Sequence, residues 1–172
     1  MKQSQEVKEM MIRLAIAKDI PKMKQVFDTA RAFQLERGII QWAEGYPPEA
    51  LILEDIERDA AYVAVNDKEE VVGAISVFTD PDPTYFEIEG EWLNDAPYAT
   101  IHRIASNGKE KGVGQALLRW VQETHSNIRI DTHTDNQPMK HILNKLGYQF
   151  TGVITIENGE LRDAYHYVKE EE

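Results

Sequence analysis

The sequence predicts a mixed α/β fold. Short stretches in which apolar and polar residues alternate are interleaved with segments of helical periodicity, and one glycine-rich turn joins a strand to a helix. The predicted order of elements is β-α-α-β-β-β-α-β-α-β-β, with one parallel crossover around the helix that follows the glycine-rich turn. We expect residues 11–172 to form one domain behind a flexible N-terminal tail over residues 1–10.

The first half of the chain predicts a strand, two helices and a hairpin. The stretch "MIRLAIA" (residues 11–17) alternates as a strand, and Asp19 is the expected cap of a helix with Pro21 in its first turn. The apolar face of this helix comprises Met23, Val26, Phe27 and Ala30. A second short helix is expected over residues 49–58, followed by a hairpin in which "AYVAV" and "VVGAISVF" flank the turn "NDKEE".

The second half begins with a long connection. The segment "TDPDPTYFEIEGEWLNDAPY" precedes the strand "ATIHRIAS", and connections of about twenty residues are usually functional or contain small elements of their own. The strand "NIRIDTH" follows the glycine-rich helix, and the next helix begins at Asn136 or Gln137 and stops at Gly147. A hairpin of "YQFTGVITI" and "LRDAYHYVK" closes the chain.

Composition limits the classes of function. The 172 residues are 42% hydrophobic and 28% charged, which is typical of a soluble globular protein. The chain has no cysteine, so a thiolate metal site and a cysteine nucleophile are excluded. A net charge of −11 argues against nonspecific nucleic-acid binding. The sequence offers neither an apolar signal segment nor a run of membrane-spanning length, and therefore predicts a cytoplasmic protein.

The stretch "SNGKEKGVGQALLRW" (residues 106–120) predicts an anion site. The first backbone N–H groups of a helix have no partner within the helix, and the helix dipole adds positive potential there. Gly112 and Gly114 let a phosphate approach the backbone, while Lys109 and Lys111 add positive charge. The candidate ligand is therefore a pyrophosphate.

Three phosphate-binding patterns compete for this stretch. The Walker A pattern is not matched, and the dinucleotide fingerprint lacks its third glycine because residue 117 is a leucine. The third pattern is the acyl-CoA signature Q/R-x-x-G-x-G/A. Residues 109–114 match it except at the first position, where a lysine stands.

The chain resembles the GNAT superfamily of acetyl-CoA-dependent N-acetyltransferases over residues 11–169. The resemblance rests on the order of elements, on "IHRIAS" before the glycines and on "NQPMKHILNKLGYQF" about twenty residues after them. In that second motif, Asn136, Lys145, Gly147 and Tyr148 match the positions that the family favours. The resemblance implies a GNAT-like fold, with a central twisted mixed β-sheet flanked by helices.

The same resemblance implies a site for acetyl-CoA, with CoA as the product. In the family, the strand before the glycines splays from the next parallel strand and pairs with the pantetheine arm. The implied pantetheine contacts are Ile104, Ala105, Ser106 and Asn136. The implied pyrophosphate contacts are Lys109, Lys111, Gly112, Val113, Gly114, Gln115 and Ala116.

Acetyl transfer to an amine needs a group that removes the amine proton. His102 is the first candidate, because it lies just before the pantetheine strand and an unperturbed histidine has a pKa of about 6.5. Tyr98 is the second, since some family members carry a catalytic glutamate near its position. Further acidic candidates are Glu87, Glu89 and Glu91.

Many family members use a tyrosine in the last helix to protonate the departing thiolate. Counting from Asn136 places that position at Leu143, which cannot donate a proton. Tyr148, His133 and Tyr165 are the substitutes to consider, and a CoA thiolate can also leave without an acid. The missing tyrosine keeps a second function open, a non-catalytic acyl-CoA-binding or regulatory module on the same fold.

Two irregular segments with aromatic residues predict the acceptor side. Trp42 and Tyr46 belong to "QWAEGYP", while Glu89 and Trp92 belong to the long connection. Aromatic rings with carboxylates suit an ammonium carried on an apolar body. The expected partner is a small-molecule or peptide amine, with neither nucleic acid nor membrane, and the resemblance adds the expectation of a homodimer.

The stretch "DTHTD" raises the question of a metal site. It places Asp131, His133 and Asp135 at alternate positions, which share one face if the segment is a strand. Three such ligands without a fourth favour a cluster of acids at a strand end. We therefore expect no metal.

Overall fold

The structure is a computed structural model that describes residues 10–170, so the predicted tail lies outside the described residues except for Met10. The strands are β1 (Met11–Leu14), β2 (Ala61–Val65), β3 (Val71–Phe78), β4 (Glu89–Gly90), β5 (Ala99–Ser106), β6 (Asn127–Thr132), β7 (Gln149–Thr155) and β8 (Leu161–Val168). The helices are α1 (Ile20–Glu36), α2 (Glu49–Glu57), α3 (Val113–Thr124) and α4 (Gln137–Lys145). Within residues 10–170, none of these helices has the length and apolar character needed to cross a membrane.

All eight strands form one sheet, in the order β1-β2-β3-β5-β6-β8-β7-β4. β5 and β6 are parallel, and the other neighbouring strands are antiparallel. Helix α3 connects β5 to β6, which confirms the predicted crossover and the mixed α/β class. The long connection contains small elements, namely β4 and a 3-10 turn over Pro83–Tyr85.

The start of α1 differs in detail from the prediction. Strand β1 ends at Leu14, because Ala17–Asp19 form a 3-10 turn. Asp19 precedes the helix as expected, but its carboxylate does not cap the first turn. It accepts hydrogen bonds from the Arg13 guanidinium (2.8 and 2.9 Å) and from the Ile16 amide (2.8 Å) instead. These bonds outweigh burial and lower the pKa of Asp19.

Apolar side chains cover both faces of the sheet. On one face, α3 and α4 bury Leu117 and Leu143 against β5 and β6. On the other face, α1 and α2 bury Phe27 and Ile52 against β2 and β3. A third cluster, centred on Tyr85, lies where the long connection covers β7 and β8. The same connection therefore provides part of the core.

His166 on β8 is fully buried and held in its neutral form. Its Nδ1 accepts a hydrogen bond from the Leu93 amide (3.0 Å), and its Nε2 donates to Asn127 Oδ1 (2.6 Å). Burial, and then the positive charge of Arg129, lower the pKa of His166 to about 4. Both ring nitrogens are thus used to join the long connection to the sheet.

We expect stability to fall at mildly acidic pH because of His166. In the unfolded chain its pKa returns to about 6.5, so below that pH the unfolded state binds a proton that the folded state does not. The contribution of His166 to the free energy of unfolding is therefore fully present above about pH 6.5. It is lost as the pH falls towards 4, where the free energy of unfolding is lower by roughly 3 kcal/mol. Urea titrations from pH 7 to pH 4.5 measure it. The loss should be smaller in His166→Gln and unchanged in His141→Gln, since His141 is exposed on α4.

Candidate active site

The parallel pair β5–β6 opens into a wedge. Residues Ala99–Ile101 pair with Ile128–Ile130, whereas none of residues 102–106 pairs with β6, and only His102, Ala105 and Ser106 among them pair with β3. A β-bulge lies in this part of β5, and Arg103 there adopts a left-handed φ of 52°. A bulge bends its strand and leaves backbone groups unpaired. The chain therefore presents a free strand edge inside the molecule.

Arg103 is anchored below the wedge by a buried ion pair. Its Nε and Nη2 donate to Asp55 Oδ2 (2.7 Å) and Oδ1 (2.9 Å) on α2, and its Nη1 donates to Tyr46 Oη (3.2 Å). Ser76 Oγ donates to the same carboxylate (2.8 Å). Burial lowers the pKa of Arg103, but the hydrogen bond to Asp55 outweighs it and raises the pKa overall. The paired guanidinium fixes the bulge against α2.

A cleft of about 500 Å³ lies at the wedge. Its walls come from β5, β6, the start of α4, the loop between α1 and α2, the long connection and the β7–β8 turn. The side chains that matter below are Gln41, Trp42, Tyr46, Asp82, His102, Ile104, Asp131, Asn136, Glu157 and Arg162. The predicted site residues Trp42, Tyr46, His102, Ile104 and Asn136 are thus brought together.

The glycine-rich loop forms an open helix N-terminus beside β5. Gly112 precedes α3 with a left-handed φ of 80°, and nothing lies within 4 Å of the position that a Cβ would take there or at Gly114. Lys109 and Lys111 are exposed. Val113 points the other way and is buried under α3, so only its backbone amide can serve a ligand.

His102, Asp82 and Tyr98 form one hydrogen-bonded group. His102 Nε2 donates to Asp82 Oδ2 (2.7 Å), and the Asp82 amide donates to Tyr98 Oη (2.9 Å). Burial would raise the pKa of Asp82, but hydrogen bonds from His102 and Thr84 outweigh it and lower the pKa to about 2. The ionised carboxylate fixes the proton of a neutral His102 on Nε2 and leaves Nδ1 with its lone pair.

Asp131 lies across the wedge from His102. Ile101 and Ile130 are the last paired residues of β5 and β6, so His102 and Asp131 follow at equivalent positions and face the same side of the sheet. Tyr85 Oη donates to Asp131 Oδ2 (2.7 Å). Burial raises the pKa of Asp131, although nearby His102 acts in the opposite direction.

Two of the predicted acceptor residues lie outside this cleft. Trp92 packs in the third apolar cluster, where its Nε1 donates to the Tyr85 carbonyl (3.0 Å) and Arg129 lies 4.3 Å above its ring. Glu89 pairs with Val153 at the far edge of the sheet. The other glutamates of the connection, Glu87 and Glu91, do not line the cleft either. Three aromatic residues of the long connection, Tyr85, Trp92 and Tyr98, pack in the third apolar cluster, whereas Phe86 is exposed.

None of the candidate acids reaches the cleft. Leu143 is fully buried between α4 and the sheet, and Tyr148 and Tyr165 belong to the same core. Tyr148 Oη has no hydrogen-bond partner, and burial raises its pKa. His133 is half-buried beyond the end of β6, where its Nδ1 accepts a hydrogen bond from the Asp135 amide (3.0 Å).

The stretch "DTHTD" does not share one strand face, because β6 ends at Thr132. Asp131 turns to Tyr85, whereas His133 and Asp135 approach each other. Within the part of the chain that the structure describes, no three histidine or acidic side chains converge in a way that could hold a metal ion.

Gln41 closes the cleft from the loop after α1. Its Oε1 accepts hydrogen bonds from Asn136 Nδ2 (2.9 Å), Thr132 Oγ1 (3.3 Å) and the His133 amide (3.2 Å). Its carbonyl accepts from Arg162 on β8 (3.0 Å). Asn136 also caps α4, since its Oδ1 accepts a hydrogen bond from the Met139 amide (3.2 Å).

The parallel pair β5–β6 splays apart and has an open helix N-terminus beside it, as the resemblance to the GNAT superfamily implies. The model of the acetyltransferase (GNAT) family matches residues 24–148, and the chain belongs to that family.

Solved structures agree. A GNAT-family acetyltransferase from Streptococcus agalactiae is 37% identical, covers 94% of this chain over 96% of its own, and superposes with a TM-score of 0.85. The PaiA N-acetyltransferase from Thermoplasma acidophilum, solved in complex with coenzyme A, is 14% identical with a TM-score of 0.67, over 92% of this chain and 98% of its own. At that identity it shows the fold alone. No curated protein matches the chain.

Proposed function

We propose that the protein transfers the acetyl group of acetyl-CoA to a primary amine by direct attack in a ternary complex. The observation that carries the proposal is the wedge between β5 and β6, which has an open helix N-terminus at one end and the His102–Asp82 pair inside. The acceptor is a small-molecule amine or a peptide N-terminus.

The residues present fit acetyl-CoA. Residues 102–106 of β5 have no partner on the β6 side, so an extended pantetheine arm can pair with them as an added strand would. The open space at Gly112 and Gly114 admits a pyrophosphate to the amides of the first turn of α3. Asn136 lines the same cleft, and we assign it to the pantetheine arm as the resemblance implies.

The chemistry follows from the position of His102. A neutral amine attacks the thioester carbonyl, the N–C bond forms, and Nδ1 of His102 takes the proton that the nitrogen loses. Asp82 stabilises the resulting imidazolium. The C–S bond then breaks, and the thiolate leaves without a dedicated acid because an ordinary thiol has a pKa of only about 8.5. The buried Leu143 is compatible with that step.

The first test of this function uses two measurements. Acetyl-CoA and CoA should raise the melting temperature by roughly 5–10 °C at about 100 times the dissociation constant, whereas ATP and NADH should not. Amines should then release free thiol from acetyl-CoA together with the acetylated product. A stable complex that never releases thiol with any amine would instead establish the acyl-CoA-binding module. A response to ATP or NADH alone would remove the phosphate assignment.

We expect a negative charge at Gly112 to abolish acetyl-CoA binding. Asn and Asp are nearly equal in shape and both tolerate a left-handed φ, so Gly112→Asn and Gly112→Asp differ mainly in charge. Gly112→Asp should lose the thermal shift with acetyl-CoA, because its carboxylate would lie where the pyrophosphate is proposed to bind. Gly112→Asn should keep a measurable shift. Equal shifts in the two variants would move the phosphates away from this loop.

A further inference from the structure

The acceptor end of the cleft carries unbalanced negative charge. Asp131, Asp82 and Glu157 line it. The two arginines of the lining are already paired, Arg103 with Asp55 and Arg162 with Glu160. Asp82 has His102 as its partner. Within residues 10–170, no lysine or arginine forms an ion pair with Asp131.

Asp131 has no ion-pair partner among the described residues. Burial raises its pKa, and the positive charges of His102 and Arg162 offset this effect only in part. Its one side-chain partner is the neutral hydroxyl of Tyr85, which satisfies one oxygen without offsetting the charge. A charged group removed from bulk water is costly unless it is paired. Tyr85 is itself fully buried, and its hydrogen bond holds the carboxylate at the wall of the cleft. A ligand that brings positive charge to Asp131 recovers that cost.

The position of Asp131 decides which part of a ligand it meets. It faces His102 at the narrow end of the wedge, where the two residues occupy equivalent positions after the last paired residues. A nitrogen that lies between the two strands can contact the carboxylate and reach Nδ1 of His102. A carboxylate on the carbon next to that nitrogen would approach Asp131, Asp82 and Glu157, and no free arginine of the cleft lining would receive it.

We propose that Asp131 binds the ammonium group of the acceptor, and that the acceptors are amines without a carboxylate beside the reactive nitrogen. This inference rests on the function proposed above. In chemical terms the substrates are the decarboxylated forms of amino acids, or other cationic amines of that kind. Asp131 holds the protonated amine, which loses its first proton to solvent. The neutral nitrogen then attacks the thioester, and Nδ1 of His102 takes the second proton as the N–C bond forms.

Matched pairs of amines test the proposal. Each pair consists of an amino acid and its decarboxylated form: tyrosine with tyramine, tryptophan with tryptamine, and arginine with agmatine. We expect kcat/KM to favour the decarboxylated member of any pair that reacts, by roughly 10-fold to 100-fold, the range of a charge-assisted contact. This ratio is measured on the unmodified protein and depends on no variant. A preference for the amino acid would overturn the inference.

Asp131→Asn supplies the second test. It should raise KM for the preferred amine and reduce the ratio within its pair, while the thermal shift with acetyl-CoA stays the same. Asp135→Asn is the control, because Asp135 is an exposed acid of the same segment that does not line the cleft. An unchanged ratio in Asp131→Asn would refute the role of Asp131. Failure of every pair to release thiol, with the acetyl-CoA shift intact, would refute amine acetylation itself and is a different result.

Discussion

Replacing His102 with glutamine is expected to lower kcat for the preferred amine by roughly 10²- to 10⁴-fold, the usual contribution of a general base. Glutamine can still donate a hydrogen bond to Asp82, so the packing around the pair should survive. It cannot accept a proton at neutral pH. The thermal shift with acetyl-CoA should not change, because the phosphate loop lies at the other end of β5. Steady-state thiol release measures the loss.

Two controls make the His102 result specific. His133→Gln changes a histidine that lies beyond the end of β6, outside the cleft lining, and should leave kcat near its original value. Asp82→Asn should have an intermediate effect, since His102 remains but loses the anion that stabilises its protonated form. If His102→Gln retained full turnover, the base would have to be sought elsewhere, with Asp131 the next group across the wedge.

Replacing Asp55 with alanine is expected to cost about 3–5 kcal/mol of stability. Asp55 is 2% exposed and is held by both Arg103 and Ser76. Removal of the carboxylate leaves the Arg103 guanidinium buried without its anion, which is the costly way to break an ion pair. Urea unfolding at pH 7 measures the loss. The variant should also weaken acetyl-CoA binding, because Arg103 fixes the bulge that opens the wedge.

A double variant without either charge separates the effect of charge from the effect of packing in this pair. Asp55→Leu with Arg103→Met removes both charges and keeps a similar volume, so it should recover most of the stability lost in Asp55→Ala. Its acetyl-CoA binding should stay weak, since the left-handed Arg103 backbone has lost its anchor. A cost below about 1 kcal/mol for Asp55→Ala would mean that Arg103 reaches solvent on its own.

The fold was predictable because its signals are local. Alternation and helical spacing located the strands and helices to within a few residues, and the glycine-rich turn identified the crossover. The glycine-rich turn and the helix after it were predictable for the same reason, since one contiguous stretch contains both, while phosphate binding by this loop stays a prediction. Periodicity could not reveal β4, which has two residues and depends on a partner more than sixty positions away.

The acceptor side was less predictable because its residues meet through long-range contacts. His102 was recognised from its place on β5, but its partner Asp82 comes from the long connection, and no pattern in "TDPDP" indicates that contact. Asp131 looked like one acid among several. Its position opposite His102 depends on where the pairing of β5 and β6 stops, next to the bulge at Arg103. Trp92 is the contrary case, because an aromatic residue in a loop suggests exposure, whereas this ring packs against Tyr85 in the third apolar cluster.

The route of the long connection has a mechanical consequence. The sheet consists of two halves, β1-β2-β3-β5 and β6-β8-β7-β4, joined by three residue pairs between β5 and β6, against six between β6 and β8. The connection leaves β3, places β4 against β7 at the far edge of the other half, and returns to β5. It therefore ties the two halves of the sheet together across the short β5–β6 junction.

The connection is held at its far end by the pairing of β4 with β7, where two glycines lie against each other. Gly90 on β4 and Gly152 on β7 approach so closely that a Cβ on either would collide with backbone, with the Thr151 carbonyl in one case and the Glu89 carbonyl in the other. Asp82 belongs to the same connection, and its hydrogen bond to His102 places it close to the β5–β6 junction. A change in the length of this connection is therefore expected to alter both the width of the cleft and the orientation of His102.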